Sequence, residues 1–80
     1  MTRKSVLIVD DEVSIRKALA KALEREGYLV TAVKCVAEAV AVAKDAGFHL
    51  LLCDLQLPDG NGLQLIQQLR HDNSDRKSVV

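Results

Sequence analysis

The chain has 80 residues, 49% of them hydrophobic, and its 11 basic residues balance 11 acidic ones. That length allows at most one domain. Scattered basic residues and an aromatic content of 2% argue against direct nucleic-acid binding by this segment, and no apolar run approaches the roughly 18 residues of a membrane span.

The N-terminus, MTRKSVLIVDDE, places basic residues before a short apolar run that two acids cut off at once, so it is not a signal peptide. Ser5 to Val9 is rich in β-branched residues and predicts a first strand. Asp10, Asp11 and Glu12 follow it. Ile15, Ala18, Leu19, Ala22 and Leu23 then recur at the spacing of one helix face. A helix is expected over Val13 to Glu26, with Gly27 as its C-cap glycine. Tyr28 to Val33 predicts a second strand. Val36, Ala39, Val40 and Ala43 mark a second, small-sided helix from about Cys35 to Ala46, ending near Gly47.

Phe48 to Asp54 is the third strand. It is almost unbroken in its apolar character, which predicts a strand buried on both faces of a parallel sheet. Leu55 to Gly62 is a loop with Pro58, Gly60 and Gly62. Leu63, Leu65, Ile66 and Leu69 place a third helix that ends near Arg70. HDNSDRK is a polar connection, with Arg76–Lys77 expected to face solvent, and Ser78 to Val80 open a fourth strand.

Strands alternating with helices imply a parallel sheet with right-handed crossovers. One strand, one helix and two short loops take roughly 25 residues, so this chain holds about three such units and a remnant. The third strand should be central, and it would have an open edge where a fourth belongs. Such an edge is a self-association hazard. A domain that is truncated, or completed by another copy, is the expectation.

Asp54 ends the third strand, where open α/β sheets place ligand sites. If the first and third strands are adjacent, Asp10, Asp11 and Asp54 converge at one end of the sheet and repel one another. A divalent cation removes the conflict, and hard oxygen ligands favour Mg²⁺. A carboxylate beside Mg²⁺ can accept a phosphoryl group as an acyl phosphate. The plainer alternative is that Asp10 and Asp11 only cap the first helix and favour its dipole.

His49 is expected to be a polar residue near the sheet margin, and His71 to be solvated. Cys53 should be a buried small residue pointing away from Asp54. Cys35 lies near a helix start, where a thiol can become more acidic. With no CxxC and no neighbouring His pair, neither a thiolate metal site nor a structural disulfide is expected, and two plain thiols fit a reducing cytoplasm.

LIVDDE after the first strand and LCDLQLPDGNG at the third together resemble the receiver domain of bacterial two-component response regulators. The resemblance implies a flavodoxin-like (CheY-like) parallel sheet with helices on both faces. Residues 1–80 would be the N-terminal two-thirds of one receiver, with no output domain. It implies that Asp54 is the phosphorylated aspartate, that Asp11 holds Mg²⁺ directly and Asp10 largely through water, and that the main-chain carbonyl of Gln56 is a further ligand. The Gln56 side chain would lie near the phosphate, and Pro58 and Gly62 would shape the loop. The implied donor is a phosphohistidine on a sensor histidine kinase or phosphotransfer protein.

A complete receiver also carries a Ser or Thr ending its fourth strand and a Lys ending its fifth, positions that fall beyond Val80. The segment DLQLPDGNGLQLI looks like receivers attached to DNA-binding or ATPase output domains, and many hybrid kinases carry similar ones. Two other classes remain on the sequence. One is a Mg²⁺-dependent phosphohydrolase with an aspartyl nucleophile, although such enzymes commonly place a second acid two residues after the nucleophile. The other is a receiver-like interaction module that is never phosphorylated.

Overall fold

Four strands form the main sheet of the computed structural model, which describes residues 4–45, 47–72 and 77–79. The elements are β1 (Ser5–Val9), α1 (Val13–Arg25), β2 (Leu29–Val33), α2 (Val36–Asp45), β3 (Leu50–Cys53), β4 (Gln56–Leu57), β5 (Gly60–Asn61), α3 (Gly62–Asp72) and β6 (Lys77–Val79). The sheet order is β2-β1-β3-β6, and every neighbouring pair in it is parallel. β1 is therefore interior, which is why SVLIV is apolar on both faces.

Register fixes the two faces. Val6 pairs with Leu50 and Ile8 with Leu52 on one face, while Leu7 pairs with Leu51 and Val9 with Cys53 on the other. The second face carries the core. Leu7, Val9, Leu51 and Cys53 pack there with Ala39 and Ala43 of α2 and Leu65, Ile66 and Leu69 of α3. The alanines of α2 let that helix lie close to the strands, as its composition implied.

α1 covers the opposite face, so helices lie on both sides of the sheet. Its end follows local chemistry. Gly27 adopts a φ of 95°, its N–H reaches the carbonyl of Glu24 at 3.0 Å, and Tyr28 N–H reaches that of Leu23 at 3.2 Å. That is the paired C-terminal motif which a left-handed glycine permits.

Two expectations need correction. The apolar face of α1 is not buried: no residue of the helix is, and Ile15 and Leu19 remain 42% and 37% exposed. The helix lies mainly over β1 and β2, and its side toward β3 borders an open hollow lined by Ile15, Leu19 and Leu52. The third strand is also not left with an open edge. β6 pairs with it at Leu50, Leu51 and Leu52, so three residues of β6 suffice to cover most of a four-residue strand.

The loop after β3 holds a feature that the sequence reading missed. Gln56–Leu57 and Gly60–Asn61 form a two-stranded antiparallel hairpin around Pro58–Asp59. α3 also runs two residues beyond Arg70. Ala46, the connection 73–76 and Val80 lie outside the described residues, as do the side chains of His71 and Lys77. No helix among the described residues is long and apolar enough to cross a membrane.

Candidate phosphoacceptor site

The strand ladder places the acids. Val9 and Cys53 are register partners, so the next residue on each strand, Asp10 and Asp54, emerges side by side at the carboxyl end of the sheet. The main chain continues the ladder there: Asp54 N–H donates to Val9 O at 2.8 Å and Asp10 N–H to Val33 O at 3.1 Å. Asp11 follows on the exposed turn into α1. Carboxylate oxygens of Asp10, Asp11 and Asp54 all lie within 4.8 Å of one another, with Asp10 and Asp54 half-buried and Asp11 exposed.

These acids are not helix caps. Glu12 occupies the N-cap position of α1 and makes no side-chain capping bond. Asp10 instead accepts from Glu12 N–H through Oδ1 at 2.9 Å. Arg16 Nη1 donates to the Asp10 main-chain carbonyl at 2.8 Å, which ties the turn to the start of α1.

Gln56 is exposed on β4, two residues past Asp54, and its N–H meets Asp54 Oδ1 at 3.2 Å. Gly62 closes the loop from behind. Its N–H donates to Leu55 O at 2.9 Å. A Cβ at this position would overlap the main-chain carbonyl oxygen of Asp54. Only hydrogen fits between the start of α3 and the back of the acidic site. Asn61 is the N-cap of α3, its Oδ1 accepting from Leu63 N–H at 2.7 Å. An Asn just before an apolar-periodic run is a helix-start signal, and the sequence reading passed over it.

Cys53 is buried as expected, at 4% exposure, but its thiol does not keep clear of Asp54. Its Sγ donates to the carbonyl of Asp54 at 3.2 Å. Burial, then the carboxylates of Asp54 and Asp10, push the thiol up to about 11, so it stays protonated and inert. His49 is at the far end of the sheet, just before β3. Its Nδ1 accepts from Ser5 N–H at 3.0 Å, which satisfies a strand-end donor and takes no part in the acidic site. A hollow of about 400 Å³ opens beside the acids, with Ile8, Ile15, Leu19 and Leu52 as apolar lining and Asp10 and Asp54 on its wall.

The family profile of the response regulator receiver domain matches residues 6–80. The chain belongs to that family. Among curated relatives, the photosynthetic apparatus regulatory protein RegA of Cereibacter sphaeroides is 39% identical over 77 residues, covering 96% of this chain and 42% of RegA. A CheY-like receiver domain protein from Methanospirillum hungatei superimposes with a TM-score of 0.93 at 32% identity, over 96% of this chain and 62% of that one.

TrrA of Thermotoga maritima has been solved in complex with Mg²⁺ and a beryllium fluoride, with a TM-score of 0.91, 30% identity and coverage of 96% and 67%. It has also been solved in complex with the histidine kinase ThkA, at a TM-score of 0.87, 31% identity and coverage of 94% and 65%. This receiver chain thus spans about two-fifths of the RegA length and roughly two-thirds of these solved chains.

Proposed function

We propose that this receiver accepts a phosphoryl group on Asp54 from a phosphohistidine of a sensor histidine kinase or phosphotransfer protein, and acts as a signalling switch rather than as an enzyme with turnover. The observation that carries the reading is the meeting of the three carboxylates within 4.8 Å at the carboxyl ends of β1 and β3. A carboxylate oxygen of Asp54 attacks phosphorus, the phosphorus–nitrogen bond breaks, and imidazole leaves with its electron pair. An acyl phosphate remains on Asp54.

Mg²⁺ fits the donor set. Hard carboxylate oxygens from Asp10, Asp11 and Asp54, with the main-chain carbonyl of Gln56, are the ligands it prefers, completed by water and phosphate. Bound there, it would offset charge between the incoming phosphoryl group and the acids. The complexes of TrrA with Mg²⁺–beryllium fluoride and with a histidine kinase support both parts by similarity. Residues 1–80 correspond to the first two-thirds of one receiver, and free thiols at Cys35 and Cys53 suit a reducing cytoplasm.

Incubation with Mg²⁺ and acetyl phosphate, followed by intact-mass measurement, tests the reading. We expect one added phosphoryl group in the wild type, none in Asp54→Ala, and none when EDTA removes the metal. A gain that survives in Asp54→Ala would refute Asp54 as the acceptor. Wild type that takes up nothing would favour the interaction-module reading.

A further inference from the structure

Asp59 fastens the loop after β3 to the start of α2 and is not one of the three clustered acids. Asp59 sits at the tip of the β4–β5 hairpin. Its Oδ1 accepts from Val36 N–H at 2.7 Å and its Oδ2 from Ala37 N–H at 3.0 Å. These are the first two N–H groups of α2, which have no partner inside their own helix. The ordinary N-cap position is taken by Cys35, and the capping carboxylate comes from 22 and 23 residues further along the chain.

The loop lies hard against α2 at this point. A Cβ on Gly60 would come within 2.9 Å of Val36 Cγ2, and Leu57 on the adjoining strand is buried in the core cluster. The other end of the same hairpin carries Gln56, whose N–H meets Asp54 Oδ1. One short hairpin therefore joins the first turn of α2 to the acidic site. Two charge-assisted bonds to main-chain donors hold it in register. Those N–H groups also hold the Asp59 carboxyl below the usual carboxylate range.

Resting on the reading of Asp54 as phosphoacceptor, we propose that Asp59 is a positioning residue for that site: by docking on α2 it fixes where the Gln56 main chain lies relative to Asp54. Neither carboxylate oxygen of Asp59 needs to touch metal or phosphate. Partners hydrogen-bonded directly to metal ligands are worth about 10-fold to 100-fold in metal affinity or activity; Asp59 acts one step further out, through the Gln56 main chain, so the lower end of that range is the ceiling expected here.

The test pairs Asp59→Ala with Glu38→Gln. Glu38 also supports the start of α2, accepting from Lys34 N–H at 3.1 Å, but among the described residues it makes no hydrogen bond to the loop. Mg²⁺ affinity is read by titration calorimetry, the acetyl phosphate rate by intact mass, and folding by circular dichroism melts. We expect Asp59→Ala to bind Mg²⁺ and to be phosphorylated about tenfold more weakly and slowly. Asp59→Asn, which keeps an acceptor oxygen, should fall between it and the wild type. Glu38→Gln should match the wild type in both readouts even where its melt is lowered.

Equal loss in Glu38→Gln and Asp59→Ala would reduce Asp59 to a helix cap and overturn the proposal. So would an Asp59→Ala protein that equals the wild type in a preparation phosphorylated on Asp54. A wild type that takes no phosphoryl group overturns the acceptor reading, and the positioning role falls with it.

Discussion

Gly62→Ala sets two effects of known size against each other. Alanine gains up to about 1 kcal/mol over glycine in a helix by propensity, and Gly62 opens α3 with a φ that is not in the left-handed region. Backbone conformation alone therefore favours the substitution. Sterics oppose it. The new methyl would overlap the Asp54 carbonyl oxygen and lie 2.8 Å from the Asp54 carbonyl carbon and 2.9 Å from Leu55 Cα. These are main-chain atoms and cannot rotate aside. Relief means moving α3 or the end of β3.

Either movement strains the bonds from Asp54 N–H to Val9 O and from Gly62 N–H to Leu55 O, each worth about 1 kcal/mol net. Overpacking itself costs about 1–3 kcal/mol. The steric side wins by about 2 kcal/mol, which in a domain this small lowers Tm by roughly 8–16 °C. A far-UV circular dichroism melt measures it, with the exposed Leu63→Ala beside it as a control. A Gly62→Ala protein that melts at or above the wild-type temperature would refute the close approach and leave only the propensity gain.

Asn61→Ala should cost about 1 kcal/mol by uncapping α3, and Asn61→Asp should restore most of it, as read by urea titration. Iodoacetamide at pH 8 should modify Cys35 and spare Cys53, whose thiol ionises only at about 11. The sign of the linked stability follows. The unfolded thiol loses its proton first, so stability should fall as pH rises from 9.0 to about 11 and should not do so in Cys53→Ala. On the two sides of the sheet, Leu65→Ala should cost about 2–5 kcal/mol. Leu19→Ala, already 37% exposed against 1% for Leu65, should cost distinctly less in the same melts.

Periodicity made the βα order legible because each strand and helix carries its own pattern. SVLIV could be read as a strand and LLLC as an interior one without reference to anything distant, although Leu50 and Leu52 on one face of the latter are only half-buried, and Gly27 announced a helix end. Burial was less legible. Ile15, Leu19 and Leu23 mark one face of α1 whatever packs against it, and a pattern cannot report how far that face is covered. β6 shows the reverse case: Ser78 to Val80 read as the start of a strand, but so short a run did not reveal that it would pair along Leu50 to Leu52 and cover the edge expected to stand open.

The acidic site was legible for a different reason. Asp10, Asp11 and Asp54 are brought together by parallel register, and register follows once β1 and β3 are neighbours. Asp59 has no such route into a sequence reading. In PDGNG it looks like any turn aspartate, since its partners at Val36 and Ala37 carry the contact through main-chain N–H groups that every sequence possesses. What marks it is the missing local cap. α2 starts at Cys35–Val36 with no Ser, Thr, Asp or Asn to accept its first N–H groups, and a helix in that position demands an acceptor from elsewhere. The acceptor is Asp59 in the loop beside Asp54, so the helix start that lacks a local cap is completed by the same loop that borders the acidic site.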